Sequence, residues 1–487
     1  MVCCEKDTQN KSSKFSLPIV STLSEIFQHD NQEEIERRIQ NIESNIKQVY
    51  SIKGQPLQKT TLAKRMNALK VPGVSIAVFN DGELEWAKGY GWADYNLVKP
   101  VNTETMFQAA SISKSPSTMA MLKLVEHGTL NLDVDIDDYL TSWQIPDNPF
   151  TEKNKVTLRR IVSHTAGLTI HGAYGYAPDD KLPSIIDYLD GNSAEWPTVV
   201  FQEPGQSMSY SGGGFMILQL LFEDHFNQLF PDLLNEFILT PLEMSRSTYE
   251  QPLPDHYAKN AAAGHGLDGK KVAGNWSKYR NQAATGLWTT PIDLARMAID
   301  MQKSFSHGNG TILGKTMAQK SLTHGPGDYG LGFEISKDKL RFGHGGSNNG
   351  YKCKLSASIK DGSGAAIMTN SENGLIIFKE ILLTIGLEYG WEGFMIEEKK
   401  VVELSDGEYE LLVGAYSAPD TMGDIKVSYS DGKLWANANF LKKPDILLPL
   451  SNTEFFNRQT TTPVKFIFDN NQVISMMVDI YNVPKIN

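Results

Sequence analysis

The chain has 487 residues, 46 Lys and Arg against 57 Asp and Glu for a formal charge of −11, and 40% hydrophobic residues. That length predicts two or three domains and a core large enough to carry a cleft. Well-mixed charge and the lack of a basic stripe with interleaved aromatics argue against a nucleic-acid partner. Three cysteines, two of them adjacent at Cys3 and Cys4, cannot frame a disulfide-stapled domain. No apolar run approaches ~18 residues, so no transmembrane segment is expected. The start, MVCCEKDTQNKSSKFS, carries no signal-peptide core. The expectation is a cytoplasmic protein, the alternatives being acylation at Cys3 and Cys4, or a periplasmic or secreted protein whose N-terminus was trimmed.

Between Asp30 and Tyr50, Ile35, Ile39, Ile42, Ile46 and Val49 repeat at four- and three-residue spacings. That is one apolar helix face, with Asp30 and Glu33 placed as a capping box. The helix either docks on the main body or serves as a contact for a second copy. From Val71, "PGVSIAVFNDGELEWAKGYGWAD" reads as a strand, an Asn80-Asp81-Gly82 turn and a second strand. Ser75 imitates a nucleophile elbow, but the strand continues past it where an elbow would turn into a helix. Helical text fills residues 107 to 300. Strands return in "YGLGFEIS", "KLRFGHGG" and "YKCKLSASIKDGSGAAIMTN", where Tyr351, Cys353, Leu355, Ala357 and Ile359 alternate, and a helix closes the unit near Trp391. The fold class is therefore α/β (α+β): an antiparallel sheet flanked by helices, with a helical subdomain. "EEKKVVELSDGE" reads as a linker. Beyond it, Ile425-x-Val427-x-Tyr429, Ile446-x-Leu448-x-Leu450 and Val464-x-Phe466-x-Phe468 predict a small C-terminal antiparallel β domain. The expected division is an extension over 1–70, a main domain over 71–395 and the β domain over 400–487.

S-x-x-K occurs four times, at Ser44/Lys47, Ser111/Lys114, Ser336/Lys339 and Ser430/Lys433. Only the second opens a long apolar helix, so that a lysine one turn on can reach the serine hydroxyl. A desolvated lysine there loses its proton readily and can act as base toward a weak nucleophile. On that motif alone a capping serine and a solvated lysine are the favoured explanation of the residues. Two glycine-rich loops add to it. "PGQSMSYSGGGF" presents Tyr210 before another helix, where a phenol can relay a proton. "RFGHGGSNNGYKC" presents His344, Gly345, Gly346 and Ser347 in a strand whose backbone a ligand can approach closely. His164 and His171 have no companions at metal-ligand spacing. Asn348 and Asn349 shape a turn or touch substrate, and Cys353 reads as a packed thiol.

In this order, Ser111-x-x-Lys114, Tyr210-Ser211-Gly212 and His344-Gly345-Gly346 resemble the S-x-x-K, Y-x-N and K/H-[TSG]-G motifs of the penicillin-recognising serine hydrolases. These are the serine β-lactamase-like and penicillin-binding-protein superfamily: class C β-lactamases, DD-peptidases, family-VIII esterases and D-aminopeptidases. "LRRIVSHTAGL", "LTPLEMSRSTYE" and "AATGLWTTPIDLARM" are similar to its framework segments, and the C-terminal domain is similar to lipocalin-like modules found in some members. The resemblance spans roughly residues 71 to 391. It implies that Ser111 is acylated, with Lys114 as its base and Tyr210 as acid/base for the leaving group. His344 would stand where other members have lysine, helping the Tyr210–Lys114 proton network and contacting a substrate carboxylate. The backbone N–H groups of Ser111 and Ser347 would form the oxyanion hole, with Gly345, Gly346, Gly212 and Asn348 around the substrate. No cofactor is implied. The expected substrates are small esters, amides or D-residue peptides. β-Lactams or cell-wall peptides are the alternative within the class, and a non-catalytic assembly protein is the alternative outside it. Two departures stand out. Gly212 replaces the asparagine that holds the substrate amide, and Pro116 is expected to bend the nucleophile helix. A homo-oligomer through the N-terminal helix or the C-terminal domain is the further expectation.

Overall fold

A computed structural model describes residues 19–20, 32–57, 59–173, 175–193, 196–418, 423–438, 441, 444–458, 460, 462–478 and 481–486. The Asp30–Tyr50 helix is realised as α1, Gln32–Ser44; Asp30, its expected cap, lies outside the described residues. The helix is shorter than its apolar repeat. Ile46 lies past its end, buried beside a bridge to Thr60, and Tyr50–Ile52 is a short strand parallel to Glu397–Lys399. A second short helix, α2 (Leu62–Ala68), is capped by the Thr61 hydroxyl.

The main sheet contains β1 (Ile19–Val20), β2 (Gly73–Asn80), β3 (Glu83–Asp94), β4 (Glu334–Ile335), β5 (Arg341–Asn348), β6 (Tyr351–Ser358) and β7 (Gly364–Thr369). They run in the order β1-β3-β2-β7-β6-β5-β4, each pair antiparallel, with Lys99–Pro100 pairing β3. The β2–β3 turn has Asp81 and Gly82 at φ of 52° and 75°, the left-handed pair that a tight hairpin demands. Strand β2 is apolar at both parities because both its faces are covered. Val74, Ile76 and Val78 meet α1 and α6 (Gly374–Tyr389), while Ala77 and Phe79 face the larger core. That core also holds helices α3 (Lys114–Glu126), α4 (Gly212–Phe226) and α5 (Pro291–His307) of the helical insertion between β3 and β4.

Ile39, Ile42 and Ile46 pack with Ile377 and Ile381 in one cluster. The apolar face of α1 is therefore occupied by its own chain, the docked-helix alternative. The Arg65 guanidinium of α2 forks onto Glu380 of α6 at 2.7 and 2.6 Å, both side chains buried. Arg65→Ala is expected to lower unfolding free energy by about 3–5 kcal/mol, because it leaves a buried carboxylate unpaired. Urea denaturation checks this; a loss below about 1 kcal/mol would mean that water reaches Glu380.

Eight strands from Gly414–Ala418 to Tyr481–Ile486 close into an antiparallel barrel, the first pairing with the last. The segment read as a linker is largely structured: it contributes Glu397–Lys399 and opens the helix Asp406–Leu412, whose N-terminus Ser405 and Glu408 cap reciprocally. One strand is out of phase with its reading. Leu447 faces the barrel core, whereas Ile446 and Leu448 lie on the outer side. "DILLPL" is apolar at both parities, so alternation alone could not choose.

Candidate active site

The nucleophile turn is built by strain and by serines. After the two-residue strand Phe107–Gln108, Ala110 adopts φ +48°, a left-handed conformation costly for alanine, and swings the chain into the 3₁₀ turn Ala110–Ser113. In a 3₁₀ turn residues three apart eclipse, so Lys114 falls directly above Ser111, its Nζ 3.2 Å from the Ser111 Oγ and 3.1 Å from the Ala284 carbonyl it donates to. The other serines of "SISKSPS" have structural partners. Ser113 Oγ donates to the Ala110 carbonyl at 2.5 Å and accepts from Leu287 N–H; Ser115 and Ser117 donate to the carbonyls of Gly332 and Ala283. Only Ser111 is partly exposed. Helix α3 runs unbroken through Pro116, its third residue, where a missing N–H costs little, so the expected bend is absent.

Strand β5 forms the opposite wall. A Cβ on Gly346 would sit 2.2 Å from the Ala109 carbonyl and 2.4 Å from Cys353 Sγ, so only glycine lets β5 lie against the nucleophile turn. Cys353 is the buried thiol expected there, donating to the Ala109 carbonyl. Strand β4 pairs with β5 only at Phe342 and Gly343. Beyond that point the Gly345 N–H points outward to Glu334 Oε1 at 3.2 Å, so the Ser347 N–H, two residues on, points the same way into the cleft. Gly346→Val is expected to reduce activity at least tenfold by pushing β5 off Ala109. A chromogenic ester assay beside a thermal melt checks this; unchanged turnover would mean the two walls need not touch.

Tyr210 is held by two histidines. His171 Nδ1 lies 2.6 Å from the Tyr210 carbonyl, and the Ser211 N–H donates to His164 Nδ1 at 3.1 Å. The His164 ring lies under the Tyr210 ring at 4.1 Å, and Lys114 Nζ sits over the same ring at 4.9 Å. Gly212 has no room for a side chain: a Cβ would meet the Gly172 carbonyl at 2.5 Å, and Asn281 Nδ2 donates to the Gly212 carbonyl at 2.7 Å.

His344 lies beside Tyr210, their ring centroids 6.3 Å apart. The imidazole is buried, with Nε2 2.8 Å from the Tyr329 hydroxyl and Nδ1 2.5 Å from the Gly345 carbonyl. Burial, reinforced by Lys114, pulls it down to about 4 against the opposing pull of Glu334, so at neutral pH it carries no charge for a substrate carboxylate. Asn348 also turns inward, its amide donating to Gln108 Oε1 and the Thr285 carbonyl. The residues missed by sequence reasoning are Tyr329, buried beside His164 and His344, and Glu334. Burial pushes Glu334 up, but Lys354, His344 and the Gly345 N–H outweigh it and hold the carboxyl at about 2. Burial lowers Lys114 to about 7, with Glu334 acting against it. Burial raises the Tyr210 phenol above its ordinary value, although a hydrogen bond with Ser111 works the other way. The cleft these groups line has a volume of about 1200 Å³.

The profile of the Beta-lactamase family matches residues 59–376, the span that contains every element of this cleft named above. The chain belongs to that family. Protein flp of Staphylococcus aureus (strain MW2) is 24% identical over 221 residues, 45% of this chain and 42% of that protein. Penicillin-binding protein 4 of Amycolatopsis lactamdurans is 29% identical over 201 residues, 39% of this chain and 49% of that protein. The chain thus spans less than half the length of these curated relatives. The octameric penicillin-binding protein homologue from Pyrococcus abyssi has a similar fold, with a TM-score of 0.59 at 21% identity over 87% of this chain and 98% of that one.

Proposed function

We propose that the protein is a serine hydrolase or acyltransferase that works through a covalent acyl-enzyme on Ser111. The observation that carries this reading is the Lys114 amine, buried, lowered to about 7 and 3.2 Å from the Ser111 hydroxyl. Near neutral pH a large share of Lys114 is the free base. It takes the Ser111 proton as Oγ attacks a carbonyl, and the carbonyl oxygen turns into the Ser111 and Ser347 N–H groups. Tyr210, protonated because it is buried, gives its proton to the leaving group and recovers one from the deacylating water or acceptor.

Substrates are small esters, amides or peptides, D-residues included. The filled space at Gly212 leaves no side-chain amide to grip a lactam carbonyl, which tells against a strict β-lactamase. Assembly of several copies, as in the octameric neighbour, would use the C-terminal barrel, since the apolar face of α1 is covered.

The test is intact-protein mass spectrometry after exposure to a fluorophosphonate, penicillin and activated esters, followed by a screen over p-nitrophenyl esters, D- and L-aminoacyl amides and nitrocefin. A stoichiometric mass gain on Ser111 that Ser111→Ala abolishes is the expected result. No adduct with any probe, or an adduct elsewhere, overturns the reading.

A further inference from the structure

The barrel is not filled evenly. From the end covered by the helix Asp406–Leu412 its interior is plugged by Leu412, Val427, Leu434 and Phe466, the last ring lying edge-on to both Tyr416 and Phe455 at 6.0 and 5.4 Å. At the other end Ile425, Ala436, Ala438, Val464 and Val478, with Leu447 and Met476, leave space in the lumen, and the polar residues there, Asn457, Thr460 and Thr462, are hydrogen-bonded to one another. The cavity has a volume of about 130 Å³ and is closed from below by Leu375 and Ile376 at the start of α6. This space is not separate from the Ser111 cleft. Leu267, Lys352, Glu372, Leu375 and Tyr481 line both. At the threshold Lys352 is paired with Glu372, which also accepts from the Gly350 N–H at the tip of the β5–β6 hairpin. The walls of the cleft and the mouth of the barrel are thus tied to the same hairpin.

An apolar cavity of roughly 150 Å³ stays dry and takes a benzene-sized guest. The lining is mostly apolar, the Asn457, Thr460 and Thr462 side chains are engaged with one another, and Lys352 and Glu372 pair at the mouth, so a charged group would lose its hydration deeper in without a partner. We propose that the barrel mouth is the pocket for an apolar tail, alkyl or aryl and of roughly six to eight carbons, on the same molecule whose carbonyl is presented to Ser111. The cleft holds the polar, reacting part and the lumen holds the far end of the tail. For its chemistry this rests on the serine-hydrolase reading; for binding it rests on the cavity alone.

Two measurements separate the two. Across p-nitrophenyl esters from acetate to palmitate, kcat/KM is expected to rise about fourfold per methylene over the roughly six carbons that enter the lumen, the gain of burying each CH₂. Ala436→Phe, which fills the lumen, should flatten that rise and cut the ratio of long-chain to acetate kcat/KM by roughly a thousandfold or more. In parallel, calorimetry with 1-octanol on the full chain carrying Ser111→Ala should show binding at a single site, weakened at least tenfold by Ala436→Phe. Should Ala436→Phe fail to fold, Leu375→Trp at the partly exposed threshold replaces it, with the same expectations. Octanol bound in the lumen without any ester turnover would overturn the hydrolase reading and leave the pocket standing. Ester turnover with a flat chain-length series and no octanol binding would overturn the pocket and leave the hydrolase.

Discussion

Ser111→Ala is expected to lower kcat for any ester or amide the protein turns over by roughly 10⁴- to 10⁶-fold, the range seen when a covalent nucleophile is removed. The loss should be that large because no neighbour can take over. Ser113, Ser115 and Ser117 are buried, and each donates its hydroxyl proton to a backbone carbonyl. The Cys353 thiol lies against the same turn, but burial pushes it far above its ordinary value, so it stays an unreactive thiol aimed at the Ala109 carbonyl. The substitution should leave stability within about 0.5 kcal/mol, since Ser111 is partly exposed and Lys114, one of its two side-chain partners beside Tyr210, keeps its bond to the Ala284 carbonyl. Steady-state kinetics beside a denaturation curve check both halves. Retention of activity within tenfold of the parent would place the nucleophile elsewhere.

Ser111 stands out as the candidate nucleophile in the sequence because its proposed partners occur in linear motifs, and the other three S-x-x-K pairs lie away from the cleft. Ser44 ends α1, Ser336 is held by Asp338 in a turn, and Ser430 and Lys433 face each other across a hairpin. What could not be read is how the chain reaches Ser111. Alanine gives no hint of a left-handed φ, so the strain at Ala110 has no sequence signal; it is imposed by the strand before it and the packing of β5 behind it. The neutrality of His344 was hidden for a related reason. Its position suggests a substitute for a cationic residue, but its charge depends on burial, on Glu334 opposing it and on Lys114 reinforcing it, all brought to it only by the fold. Glu334 was within reach. "YGLGFEIS" and "KLRFGHGG" are adjacent strands, and pairing them as a hairpin would have set Glu334 opposite Gly343, beside the third motif. In the barrel the inward positions alternate as expected except where the apolar run is unbroken, which is where the register slipped by one.

The remaining large effect concerns the charge of Lys114. With its ammonium lowered to about 7 by burial, kcat/KM should climb about tenfold per pH unit below 7 and level off above it, because only the free base can accept the Ser111 proton. The limb belongs to no histidine. His344 sits near 4 and His164 is driven well below 6.5, both by burial in the first place, so each is already neutral where the limb occurs. Nor should Tyr210 cut the plateau on the alkaline side, since its phenol is raised above the ordinary value. Glu334 supplies the diagnostic. Its carboxylate opposes the burial of Lys114, so Glu334→Gln takes away a group that favours the ammonium and must move the limb to lower pH. Were the limb instead the titration of an acidic group needed as base, that substitution would abolish it. Lys114→Arg keeps the positive charge but cannot shed its proton, and is expected to lower kcat/KM by roughly 10²- to 10⁴-fold and to erase the limb. A pH profile that survives Lys114→Arg with its midpoint unchanged would remove Lys114 from the role of base. A midpoint that shifts with Glu334→Gln and vanishes with Lys114→Arg ties the proton transfer to the amine above Ser111.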